Sequence, residues 1–294
     1  MYHLFFKVTH KAWEKNLLIK YLCPRDFRRG EMEEKMNIEI YVVAHKKSRM
    51  PIESIFVPVQ VGKNEDIPDF QRDNTGDNIA CKNDNYCELT AQYWAMKNRK
   101  ADIKGLVHYR RIFTNGKKIP SWMSNEYKYK NLITKEDIIR ILDSGYDVVL
   151  PIAHNYISET AYEHYKHNHD SYDAFELVRE YLITKYPLYV DAFDCALNSK
   201  KSHLLNMMIA PDNIFNKYSD WLFEVLKYVE DNYPIDHLDD YEKRIFGFIS
   251  ELLLDVWITA NNIKYKEMPV VYLEHENYIK RYTHSIKGKL GLLK

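Results

Sequence analysis

Two adjacent arginines at the end of an apolar run are the most chemically pointed feature of the sequence. Residues Lys104–Tyr109 read KGLVHY, a strand, and Arg110 and Arg111 follow its carboxyl end directly. Paired guanidinium groups are forked, permanently charged donors that match phosphate oxygens. When a sugar leaves a nucleotide, the departing diphosphate gathers negative charge. A carboxylate-held divalent ion or fixed cations must stabilise that charge. Here cations occupy the strand end, which makes Arg110 and Arg111 catalytic candidates, with His108 and Tyr109 beside them as donor contacts. The other reading for either arginine alone is an ion pair at a sheet edge.

Further polar groups punctuate the chain at comparable places. His45-Lys46-Lys47 follows an apolar run, so His45 and Lys46 are donor-binding candidates unless they form only a solvated basic turn. Gly76 permits a tight turn that presents Asp77 and Asn78 to ribose or sugar hydroxyls, and Asp77 is also a candidate for activating an acceptor hydroxyl. A simple turn-forming role for Asp77 stays open. Asn83 and Glu88 extend the donor-binding set. Glu251 is one carboxylate on an otherwise apolar helix; burial would raise its pKa and suit a general base. An ion pair with Arg244, about two turns earlier, is the alternative. Arg244 and His169 are placed on the acceptor side. The run His164-x-x-His167-x-His169-Asp170 has the look of a metal site, but its histidines do not share one helical face with an acid, and no metal ligands are assigned.

These groups need elements to hold them. Asn37 opens a β-branched apolar run, a buried strand feeding the His45 loop. A second strand spans Ile55–Val61 and stops at Gly62, and a helix covers Tyr86–Asn98. Lys135–Leu142 reads as helix and Tyr146–Leu150 as strand; 159–183 reads as helix and Leu205–Ile209 as strand. Helices over Phe215–Asn232 and Glu242–Ala260 and a strand over Met268–Tyr272 complete the chain. Alternating strands and helices in the first half predict an α/β layer with a mostly parallel central sheet and flanking helices. Ligands in such sheets sit beyond the strands' carboxyl ends, where the basic clusters fall.

Composition narrows the class. The 294 residues carry 42 Lys+Arg against 42 Asp+Glu, so no global charge points to nucleic acid. Cys23, Cys81, Cys87 and Cys195 form no Cys-x-x-Cys pair, which argues against zinc or a disulfide framework and for reduced cytoplasmic thiols. No apolar run reaches membrane-spanning length. Tyrosine is abundant at 24 copies, which suits stacking on bases and sugars as well as half-buried core positions. Residues 1–35 are either an appended segment or lie upstream of a natural start at Met36, the main domain spans 36–275, and 276–294 is a basic tail. That tail and the first twenty residues are the candidate segments for peripheral contact with the inner face of a membrane.

Several stretches in order resemble a known bacterial family: AHKK at 44–47, PVQVG at 58–62, GDNIACKNDNYCELTAQYWAMKN at 76–98, GLVHYRRIF at 105–113, NMMI at 206–209, YSDWLFEVL at 218–226 and RIFGFISELLLDVWI at 244–258. The family is that of capsular and exopolysaccharide biosynthesis glycosyltransferases, long catalogued as a domain of unknown function. The resemblance implies a GT-A-like single domain. It also implies transfer of a hexose from a nucleotide-sugar donor, with UDP the expected carrier, to a lipid-linked glycan of capsule, exopolysaccharide or lipopolysaccharide. Many GT-A enzymes hold a metal through Asp-x-Asp at a central strand end; this chain has HYRR there, and a broken acidic pattern around 73–77. Metal-independent, inverting transfer is therefore the expectation, with manganese or magnesium as the alternative. A non-catalytic sugar- or nucleotide-binding subunit of an assembly complex is the competing reading.

Overall fold

The computed structural model describes residues 36–273, and everything below belongs to the unit that begins at Ile38. The expectations for residues 1–35 and for the 276–294 tail fall outside the described residues.

The central strand β1, Ile38–Ala44, is buried over its whole length, which only a strand covered on both faces allows. It lies between β2 (Phe56–Gln60) and, after the two-residue β3 (Gln71–Arg72), β4 (Ile103–His108). Two helices separate β3 from β4: the single turn α1, Asn83–Tyr86, and α2, Leu89–Asn98. The sequence predicts one helix over 86–98; the chain instead breaks at Cys87, whose φ is 51°. A left-handed non-glycine residue cannot continue a helix.

Beyond β4 the chain turns into β5 (Arg111–Phe113), then α3 (Asn125–Lys130), α4 (Lys135–Asp143) and β6 (Val148–Pro151). The small β7 (His154–Asn155) leads to α5 (Ala161–Asn168), α6 (Ala174–Lys185) and α7 (Val190–Asn198). The helix expected over 159–183 is thus two helices, parted where Ser171 is buried and bonded to the hydroxyl of Tyr165 at 3.1 Å. Then come β8 (Lys201–Ser202), β9 (Met208–Pro211), the 21-residue α8 (Asp212–Asn232) and α9 (Ile245–Ala260). Two strands, β10 (Tyr265–Met268) and β11 (Val270–Tyr272), close the described chain.

The main sheet runs β10-β6-β9-β4-β1-β2-β3, with β5 and β11 attached beside β4. Every strand on that path points the same way except β9, which is antiparallel to both β4 and β6. Alternate side chains feed opposite faces. Tyr41 and Val43 of β1, Leu106 of β4, Val148 and Leu150 of β6 and Met208 of β9 enter the large helical core. Their equally buried neighbours Ile40, Val42, Val107, Val149 and Ile209 point to the other side. On the core side α2 and α8 pack across β1, β4 and β9, and α9 packs on α7 and α8.

Three details fix the sheet's centre. Gly105 has no room for a side chain: a Cβ there would sit 2.7 Å from Ile40 Cδ1 and 2.9 Å from Ile209 Cγ1. Lys104, fully buried, is neutralised by Asp212 at 2.8 Å and donates to the Ala95 carbonyl at 3.2 Å. Glu39 receives Arg99 through two bonds, at 2.9 and 2.6 Å, and the Tyr41 hydroxyl at 2.9 Å. A buried charge so thoroughly partnered avoids the desolvation cost of an isolated one.

Candidate active site

Because β4, β1 and β2 are adjacent and parallel, their carboxyl ends line up. Val43 pairs with His108, Ala44 pairs with Gln60, and the next residues continue the lattice: Tyr109 N–H donates to Val43 and Val61 N–H to Ala44, each at 3.0 Å. A pocket of about 420 Å³ opens over these ends. Its floor is the strand termini with His45 and residues 108–111. It is lined as well by Asn83, Asp84, Cys87 and Glu88, by Leu205, by Arg244 just before α9 and by Glu251 within α9. Ligand-sized concavity with convergent charged groups at such strand ends is the usual form of an α/β binding site.

The arginines arrive by a hairpin. β4 ends at His108, Tyr109 and Arg110 make the turn, and Arg111 opens β5 opposite His108. β11 secures the turn from outside: Tyr272 pairs with Arg111, and Leu273 N–H donates to the Arg110 carbonyl at 2.9 Å. The Arg110 guanidinium lies 5.2 Å from the centre of the Tyr109 ring and that of Arg111 lies 5.5 Å from Tyr272, orienting both cations by stacking. The Tyr109 ring also meets His45 edge-on at 5.4 Å and Lys46 Nζ at 5.5 Å. Its hydroxyl is buried with no hydrogen-bond partner among the described residues.

The carboxylates of Glu88 and Glu251 line the pocket together with the arginines. Glu88 accepts the Asn206 side-chain amide at 2.7 Å, and Glu251 accepts the Leu205 N–H at 3.0 Å. Burial, then the charge of Glu88, raises the Glu251 carboxyl to about 7 against the pull of the Leu205 N–H, Arg111 and Arg244. A carboxyl poised near neutrality suits proton transfer. His108 Nε2 lies 2.6 Å from the Leu205 carbonyl. A carbonyl only accepts, so Nε2 carries the hydrogen and Nδ1 keeps its lone pair when the ring is neutral. Burial, reinforced by Arg111 and Arg110, lowers the His108 pKa and favours that neutral form. Arg244 donates from Nε to Cys87 Sγ at 3.2 Å and stacks on Phe248 at 5.2 Å. Burial pushes the Cys87 thiol up to about 11, so it stays protonated.

The pocket thus gathers Arg110, Arg111, Glu251, His45, Asn83, Glu88, His108, Tyr109 and Arg244 from four stretches of chain. Four residues singled out in the sequence lie outside its wall. Asp77 is a brace: its backbone is held by Asn98 at 3.0 and 2.7 Å and its carboxylate accepts the Tyr93 hydroxyl at 3.2 Å. Asn78 bonds its own turn, to the Gly76 carbonyl and the Ala80 N–H. Lys46 is not part of the pocket lining; its Nζ lies 5.5 Å from the centre of the Tyr109 ring. His169 bonds Glu242 at 3.0 Å and stacks on Tyr241, so its ring is engaged in packing rather than in the pocket. Sequence reasoning missed Asp84, Cys87 and Leu205. Asp84 pairs with Lys63, and Leu205 carries no functional side chain, only backbone groups that no pattern betrays.

Among the described residues no three His, Cys, Asp or Glu side chains converge as metal ligands. His164 and His167 both turn to Glu159, at 2.7 and 2.8 Å. In the pocket Asp84, Glu88 and Glu251 point to Lys63, Asn206 and Leu205 respectively. Among the described residues no helix is long and apolar enough to cross a membrane.

No curated protein matches the chain. A solved structure that it resembles is the apo form of the bifunctional glycosyltransferase WbbM, at 30% identity and a TM-score of 0.72 over 82% of this chain. The match takes in 46% of that protein, so the chain spans less than half of WbbM's length. The likeness extends over the α/β core and makes the fold GT-A-like. A family model, described as a domain of unknown function, matches residues 39–262, from the start of β1 through the end of α9 and so across every wall of the pocket. The chain belongs to that family, DUF4422.

Proposed function

We propose that this protein is a glycosyltransferase that moves a hexose from a nucleotide-sugar donor, UDP-linked, onto a lipid-linked glycan acceptor in the assembly of a bacterial surface polysaccharide. The single observation that carries this reading is that Arg110 and Arg111, following β4, line one pocket together with the carboxyl of Glu251, which is held near neutrality. Likeness to a glycosyltransferase over most of the chain supports it. The acceptor oxygen attacks the anomeric carbon as its proton passes to the Glu251 carboxylate. The bond from that carbon to the diphosphate breaks, and the diphosphate leaves carrying both bonding electrons. Direct displacement of this kind inverts the anomeric centre. Arg110 and Arg111 meet the growing charge without a metal ion, in a site where fixed donors need no reorganisation. Neutral His108, Tyr109, Asn83 and Glu88 contact the donor, and Arg244 lies toward the acceptor.

Incubation with a panel of UDP-hexoses, with and without manganese or EDTA, tests the reading by following nucleoside diphosphate release. Release from one donor, unaffected by EDTA, is expected. Saturable binding with no release under any condition would point instead to a non-catalytic sugar-binding subunit.

A further inference from the structure

Two loops converge on the short helix α3 and leave large apolar side chains in solvent around it. In the loop between β1 and β2, the Arg49 guanidinium lies 4.2 Å from the centre of the Tyr129 ring and pairs with Glu126 at 3.5 Å. The Tyr129 hydroxyl donates to the Arg49 carbonyl at 2.7 Å. Residues 46–53 are thereby tied to the flank of α3. The loop after β5 starts at the carboxyl end of α3, where Lys117 Nζ donates to the Asn131 side chain at 2.6 Å. It returns to the amino end, where Ser124 caps the Tyr127 N–H. A helix of six residues spans about 9 Å, so these pieces form one local surface. On it Ile52 is 93% exposed and Trp122 77%, and Tyr127 is exposed as well. Six cations, Lys46, Lys47, Arg49, Lys117, Lys118 and Lys130, are exposed in these stretches. They face two carboxylates, Glu53 and Glu126, of which Glu126 is already paired. The whole chain balances at 42 charges of each sign, so the excess is local.

We propose that this surface docks on an anionic phospholipid bilayer, with Ile52 and Trp122 in the interface and the lysines on the headgroup phosphates. Exposed Trp and aliphatic side chains among lysines are the chemistry that a membrane interface selects. Each lysine near a negatively charged leaflet adds attraction that a neutral bilayer lacks. Charge also sorts the other occupants. The chain's own residues 1–35 and 274–294 are net basic, and a second copy meeting this surface face to face would present the same excess. Neither complements it. A nucleic acid would match the lysines but would leave Ile52 without an apolar partner. The surface also adjoins the pocket: His45 lines it, and the next residue, Lys46, holds its Nζ 5.5 Å from the centre of the Tyr109 ring. A bilayer held there brings a lipid-linked acceptor beside the pocket, and that consequence alone rests on the transferase reading.

Sedimentation of the full chain with phosphatidylcholine vesicles, pure or carrying about 30% phosphatidylglycerol, tests the surface. Wild type should bind the anionic vesicles at least about tenfold more tightly than the neutral ones, and about 0.5 M salt should release it. Lys118→Gln/Lys130→Gln should weaken that binding about thirtyfold, or about fivefold for each charge removed. Ile52→Ser and Trp122→Ala should each weaken it about tenfold or more, through the apolar area lost from the interface. All four positions are exposed, so the fold should hold, and unchanged urea midpoints check that it does. A wild type that ignores anionic vesicles, or binds neutral ones equally well, would overturn the proposal. So would variants that bind as wild type does, since another part of the chain would then carry the binding. Tighter binding of a single-stranded oligonucleotide than of vesicles, lost in the lysine variant, would overturn it in favour of nucleic acid. Vesicle binding without UDP release from any UDP-hexose would sink the transferase reading and leave this surface standing; UDP release without vesicle binding would do the reverse.

Discussion

Replacing Glu251 by glutamine should stabilise the protein above neutral pH while disabling it. The folded protein holds the Glu251 proton up to about pH 7, against 4.5 for an unperturbed glutamate. Between those values the folded state binds more protons than the unfolded one, so stability falls as pH rises through the window and the loss is complete above about 7. At 1.36 kcal/mol per pH unit the interval corresponds to about 3 kcal/mol. Glutamine is neutral throughout and its side-chain oxygen can still accept the Leu205 N–H. The variant should therefore melt on the order of 6–12 °C above wild type at pH 8, taking about 2–4 °C per kcal/mol for a domain of this size. At pH 4.5 the two should melt within about 2 °C of each other. Scanning calorimetry at several pH values between these limits checks both the size and the slope. A melting gap that stays constant from pH 4.5 to 8, or a wild type more stable than the variant at pH 8, would refute the claim that Glu251 is ionised at a cost. The accompanying loss of transfer, about 10²- to 10⁴-fold if Glu251 is the base, would make this a site where stability is traded for activity.

The arginines and the sheet give further expectations. Arg110→Ala and Arg111→Ala should each lower kcat about a hundredfold with little change in donor KM, since the diphosphate charge peaks in the transition state; Arg110→Lys should recover only part, because it loses the fork. Steady-state kinetics with the preferred donor measures both. Gly105→Ala forces a methyl to within 2.7 Å of Ile40 and 2.9 Å of Ile209, and should destabilise the fold by about 1–3 kcal/mol in urea titration. Thr134→Ala removes the reciprocal cap of α4, in which Thr134 Oγ1 and the Asp137 carboxylate accept each other's N–H at 3.2 Å; about 1 kcal/mol should be lost in the same assay.

Much of the architecture was legible because it follows from local pattern. The run from Ile38 to Ala44 has the β-branched density of a doubly covered strand, and the stop at His45 marks where it leaves the sheet. Once β1, β2 and β4 were placed as parallel neighbours, their carboxyl ends had to carry His45 and HYRR together, and the pocket follows. Glu251 was legible for the opposite reason: a lone carboxylate in an apolar helix needs either a partner or a function. What could not be read was set by tertiary contact. Asp77 and Asn78 have the composition of a ligand loop, but their partners are Asn98, Tyr93 and their own turn. The break at Cys87 lies where α9 approaches so closely that a Cβ on Gly247 would sit 3.3 Å from the thiol, a tertiary contact no local pattern displays. The Leu205–Asn206 turn uses backbone atoms and a left-handed pair that no propensity scale favours, so its part in the site emerges only from the fold.

Calorimetric titration of wild-type protein and the Arg110→Ala/Arg111→Ala double variant with uridine, UMP and UDP tests the central claim most directly. Wild type should bind UDP at least about tenfold more tightly than UMP, a difference of about 1.4 kcal/mol, and the double variant should lose that preference while keeping its affinity for uridine. Equal binding of UDP by both proteins would mean that the two guanidinium groups do not face a diphosphate.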